Sequence, residues 1–236
     1  AITSCLVGSE MCIRDSLLGK FNKIYAFYIV LSQFFLFSLN DNLVRNIPII
    51  SSEKKNSYFS AVILTLIIIL VLQFFFFFII RLTLNEYLSK KNLLDVLNIL
   101  NITLPFFIIN KVFFGYLNGL KKMRTYFILN TLRPILILMS LICFYFSGIL
   151  SKFIGYSFFI TEIIILLTNI TIFWLRKPLI DFVVNKKEIL KIFKFCLLSW
   201  PHSFLSYSYI RIDILCLSFF VSNEKIGIYS FAAMLI

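Results

Sequence analysis

Residues 58–80 carry no charge and include an unbroken block of five phenylalanines at 74–78. At ~1.5 Å of rise per residue, such a helix crosses roughly 30 Å of hydrocarbon. Comparable apolar runs lie at about 24–44, 93–117, 126–146, 153–175 and 196–221, and another opens at 227. The pattern predicts an all-α, polytopic membrane helix bundle with six complete spans and part of a seventh. The chain is 60% hydrophobic and only 14% charged, too few charges to coat a water-soluble surface. Its mean hydropathy of +0.94 agrees.

The formal net charge of +12 raises nucleic acid as a partner, but the placement of the charge argues for membrane lipids and against nucleic acid. Basic residues collect in short loops between apolar runs. One alternating set of loops holds Arg45, Lys54 and Lys55, then Lys121, Lys122 and Arg124, then six basic residues between 176 and 194. The opposite set holds Arg81, Lys90, Lys91, Lys152 and Lys225. The first set is the more basic and is expected to face the cytoplasm. The segment 189–193 mixes Lys191 with Ile and Phe and is expected to lie on the membrane surface as an amphipathic helix. The phenylalanine block reads as lipid-facing.

Cys143, Cys196 and Cys216 lie within apolar spans, where cysteine behaves as a small hydrophobe. His202 is the only histidine, which excludes a multi-histidine metal centre, and no motif calls for a cofactor. Residues 6–16, LVGSEMCIRDS, look like a sequencing adapter translated as coding sequence, so 1–16 are set apart from fold reasoning. The rest is expected to be a fragment, with 17–195 forming five spans of an N-terminal bundle and 196–236 opening a second.

Function is sought in charges placed where lipid disfavours them, at roughly 2.5–3.5 kcal/mol each on insertion scales. Lys111, Arg133, Glu162, Arg211 and Asp213 lie within the spans. His202, Ser206, Tyr209 and Asp213 follow i, i+4, i+7, i+11, which makes one polar stripe if the helix is continuous. Such a stripe lines either a cavity or a hydrogen-bonded helix interface. Gly155, Glu162 and Asn169 recur on one face of the fifth span. Glu162 can pair with Arg133, Lys111 or Arg211, and serve as a structural ion pair or a proton relay; Arg133 can instead snorkel to the interface. The cationic excess suits an anion such as a phosphate or pyrophosphate.

Several segments resemble the polysaccharide-export and O-antigen flippase family of the multidrug/oligosaccharidyl-lipid/polysaccharide exporter superfamily. They are LVRNIP at 43–48, FGYLNGL at 114–120 with the basic loop and Arg133-Pro134 behind it, and Ser199-Trp200-Pro201 followed by Ile212-Asp213-Ile214 and the Gly-x-Tyr-x-x-Ala pattern of 227–232. The resemblance implies a transporter of about twelve to fourteen helices in two bundles around a cavity that opens alternately to either side. It implies a non-enzyme that flips a polyprenyl-pyrophosphate-linked oligosaccharide, the repeat unit of a polysaccharide or of the O-antigen of lipopolysaccharide, across the bacterial inner membrane. Other polysaccharide-assembly proteins are then possible partners. On this reading Arg45, Lys111, Arg133 and Arg211 contact the anion, while Glu162 and Asp213, with the stripe residues His202, Ser206 and Tyr209, serve coupling. No GxxxxGK[ST] loop is present, which argues against ATP hydrolysis. The rival readings are a membrane-embedded glycan polymerase or glycosyltransferase, which needs a sizeable outer loop, and a drug/cation antiporter, which favours acidic cavity residues.

Overall fold

The computed structural model describes residues 2–51, 54–90, 94–175, 186–209 and 211–234, with side chains described for all of these but 2–15, 84–90, 151–152, 174–175, 186–187 and 234. The adapter-like segment, apart from Ser16, thus falls outside the described side chains, and the loop 176–185 falls outside the described residues. The described residues form the helices α1 (Ile2–Leu36), α2 (Leu39–Asn46), α3 (Lys55–Lys90), α4 (Leu94–Gly119), α5 (Met123–Phe146), α6 (Leu150–Phe153), α7 (Tyr156–Leu175), α8 (Lys186–Ser208), α9 (Ile212–Leu217) and α10 (Asn223–Met234). This is an all-α membrane helix bundle. Four helices among the described residues are long and apolar enough to cross a bilayer, and the bent pair of α1 and α2 makes a fifth candidate.

The bend has a local cause. Phe37 and Ser38 both adopt positive φ, at 50° and 55°, a left-handed conformation costly for residues with a side chain. The helix axis turns by 56° across them. Trp200 on α8 donates its indole N–H to the carbonyl of Phe34 at 3.0 Å, four residues before Ser38. An uninterrupted helix would offer that carbonyl the Ser38 N–H.

α4 sits at the centre. It packs against α1, α2, α3, α5 and α7, and its side chains Leu100, Leu104, Phe107, Ile108 and Val112 are almost fully buried. Its last turn carries Gly115 and Gly119, four residues apart, and this small-residue ridge lets α2 approach closely. A Cβ on Gly115 would lie 2.6 Å from Asn40 Oδ1, and one on Gly119 would lie 2.8 Å from the carbonyl of Leu43. α3 turns most of the phenylalanine block outward, Phe74, Phe75 and Phe78 being exposed while Phe77 is buried. α5 is nearly bare on every face except the one that meets α7 and α4.

The run 196–221 is not a single helix. α8 ends at Ser208, an Arg211 N–H bond to the Ser208 carbonyl at 3.0 Å tightens the turn, and α9 starts afresh at Ile212. Every residue from 206 to 210 is Ser, Tyr or Ile, none of them a strong helix former that would favour continuation. The segment 189–193 is likewise no separate surface helix: it belongs to α8, and Ile192 is fully buried in the main apolar core.

Candidate functional site

The charges of the interior converge on Glu162 of α7, which is 1% exposed. Arg133 of α5 places Nε 2.9 Å from Oε1 and donates from Nη2 to Oε2 at 3.3 Å. Tyr28 of α1 donates its hydroxyl to Oε1 at 2.7 Å. Asn110 of α4 donates to Oε2 at 2.8 Å and to the Glu162 backbone carbonyl at 2.9 Å. Asn169, two turns along α7, donates to Asn110 Oδ1 at 3.0 Å. Four helices therefore meet at one carboxylate. Both of its oxygens are engaged twice, which is what a buried anion requires.

Arg133 is held by more than its partner. Its guanidinium carbon lies 4.8 Å from the ring centre of Phe107 and 5.2 Å from that of Phe114. Its side chain is 12% exposed, so it does not snorkel to the interface. Of the three partners open to Glu162 from sequence, the structure selects Arg133.

Lys111 stands beside this pair. Its ammonium lies 5.5 Å from the centre of the same Phe107 ring, and it is within electrostatic reach of Arg133, Glu162 and Asp41. No ion pair or hydrogen bond to Lys111 exists among the described residues. Arg133 and Glu162 neutralise one another, whereas Lys111 has no such direct partner among the described residues. Asp41 of α2 accepts from Ser203 of α8 at 2.6 Å, and Ser38 donates to the same Ser203 oxygen at 2.8 Å.

The remaining sequence candidates lie elsewhere. Arg45 is exposed at the end of α2, 5.4 Å above the ring of Phe195. Arg211 sits 5.1 Å above Tyr25, at the turn between α8 and α9. The polar stripe is broken by that turn. His202 and Ser206 are exposed on α8, Tyr209 is 83% exposed, and Asp213 belongs to α9. There Asp213 accepts from Tyr229 at 2.8 Å and from the Ile214 N–H at 2.7 Å. The i+4 arithmetic fails here because it presumes one continuous helix. Glu162 and Asn169 do share a face, and both meet Asn110. Tyr28 escaped the sequence reading: a tyrosine in an apolar run carries no sign of the partner waiting on another helix.

The fold and this site define a multi-pass membrane protein whose interior is organised around a buried arginine–glutamate pair with an adjacent lysine. The family model described as polysaccharide biosynthesis protein matches residues 12–236, and the chain belongs to that family. No curated protein and no solved structure matches significantly.

Proposed function

We propose that the protein is a transmembrane flippase that moves a lipid-linked oligosaccharide, the repeat unit of a polysaccharide or O-antigen, from the cytoplasmic to the outer leaflet of a bacterial inner membrane. Membership of a polysaccharide biosynthesis family supports this reading. The observation that carries it is Lys111, an unpaired ammonium beside the neutralised Arg133–Glu162 pair. A pyrophosphate-linked sugar cannot cross hydrocarbon unaided, because desolvating its charge costs far more than thermal energy. An ammonium held at bilayer depth replaces part of that hydration, while the polyprenyl tail remains in lipid. Arg133 has further N–H donors beyond those aimed at Glu162 and can add a second contact to the anion. The proposed transfer makes and breaks no covalent bond.

The test is made in cells whose surface glycan depends on this protein. Lys111→Ala is expected to insert in the membrane at wild-type levels and to abolish surface glycan, with lipid-linked oligosaccharide accumulating on the cytoplasmic side. Lys111→Arg is expected to retain transfer. Normal surface glycan in the alanine variant would overturn the reading.

A further inference from the structure

A second polar site lies midway along α1, well before its bend. A cavity of about 590 Å³ is lined by Lys20, Lys23, Asp95, Asn98, Tyr156 and Asn223, where α4, α7 and α10 begin. Lys23 is only 6% exposed, and no residue among those described gives it a hydrogen bond or an ion pair. A buried ammonium without a partner is unfavourable unless something else supplies the negative charge. Asp95 is the one acidic residue of this lining, and Lys20, unlike Lys23, is already engaged by another group.

An apolar groove of about 450 Å³ adjoins this cavity between α3 and α4. Phe74, Phe75, Phe78, Leu94 and Leu97 line it, with Arg81 among them. Asn98 lines both spaces, so a polar chamber and a phenylalanine-walled groove meet at one residue. Asn101, also in the groove lining, has a buried side-chain oxygen without a partner.

We infer that the two spaces form one site for a lipid with a phosphate-bearing headgroup, the phosphate resting on Lys23 and the hydrocarbon tail lying in the Phe74–Phe78 groove. The chamber supplies what a phosphate needs: a buried lysine, amide donors from Asn98 and Asn223, and the Tyr156 hydroxyl. The groove supplies what a chain needs, a wall of exposed phenylalanines. An anion alone would leave the groove without purpose, and a neutral lipid would leave Lys23 uncompensated. The site is separate from Lys111, and its occupancy does not depend on transport.

The experiment uses the purified protein in detergent, with bound lipid counted by native mass spectrometry after incubation with polyprenyl phosphate, phosphatidylglycerol or polyprenol. Wild type is expected to retain a phosphate-bearing lipid at least tenfold better than polyprenol. Lys23→Met, which removes an uncompensated buried charge and is expected to melt at or above the wild-type temperature, loses that preference. Phe78→Ser, on the exposed wall of the groove, weakens retention of all three lipids at least threefold. Preferential retention of polyprenyl phosphate identifies a carrier lipid as the source of the phosphate, and equal retention with phosphatidylglycerol identifies bulk membrane lipid; both outcomes uphold the site. Equal retention of polyprenyl phosphate and polyprenol by wild type, or an unchanged preference in folded Lys23→Met, overturns it.

Discussion

Glu162 takes its contacts from α1, α4 and α5, so a change at this one carboxylate is felt across the bundle. Glu162→Gln leaves the Arg133 charge buried without a counter-ion, and the expected loss is about 3–5 kcal/mol. Replacing both members, Arg133→Met with Glu162→Met, should recover most of that loss, because two desolvated charges go together. Thermal unfolding of the purified variants in detergent checks this, and a Glu162→Gln protein that melts with wild type would remove the pair from its structural role. Sequence alone exposed these residues for a physical reason: a lone carboxylate or guanidinium in an apolar run is expensive and therefore conspicuous. The choice among three partners was not legible, since it depends on which helices are neighbours. Tyr28 and Lys23 were invisible for the opposite reason. A tyrosine among phenylalanines, or a lysine at the mouth of a span, looks the same whether it faces lipid, water or a buried partner.

Among the elements, α2 and α4 are locked by the Gly115–Gly119 ridge. Gly119→Ala puts a methyl group 2.8 Å from both the Leu43 carbonyl and the Ile47 Cβ, leaving α2 no room. The expected destabilisation is about 1–3 kcal/mol, as for other overpacked sites, and it is read by thermal unfolding. Gly148→Ala, by contrast, meets no neighbouring atom, but its φ of +70° disfavours a Cβ. It should cost about 1 kcal/mol through backbone strain alone. Length and apolarity located α4, α5 and α7 within a few residues, while α3 runs on to Lys90, beyond the apolar run that ends at 80. They failed at the two breaks. The bend at Phe37–Ser38 and the turn after Ser208 fall in stretches that hydropathy reads as uninterrupted, because a helix and a broken helix of the same composition have the same hydropathy. The polar stripe was lost with the second break. The shared face of Glu162 and Asn169 survived because α7 is continuous between them.

For the whole molecule, the beginnings of α4, α7 and α10 border one chamber, while the turn at 120–122 lies at the other end of α4. The excess of basic residues in the loops at that second end predicts that it faces the cytoplasm. Single cysteines in a background without the native ones check the orientation. Lys122→Cys should react with a membrane-impermeant maleimide only after the cells are opened, and Ser147→Cys should react in intact cells; the reverse pattern would invert the topology. The interior charges then form a short series across the bundle: Lys23 near the outer end, the Tyr28–Glu162–Arg133 cluster about 8 Å further along α1 by helical rise, and Lys111 one turn of α4 beyond Phe107. On the proposed function, this interior carries an anionic headgroup across the membrane. The most direct measurement is transfer itself, in vesicles containing the purified protein and a fluorescent polyprenyl-pyrophosphate-linked oligosaccharide, followed by quenching of the label in the outer leaflet. Rapid loss of leaflet asymmetry is expected with wild type and with Lys111→Arg, and a rate at the protein-free level with Lys111→Ala. Transfer by Lys111→Ala at the wild-type rate would contradict the proposed function.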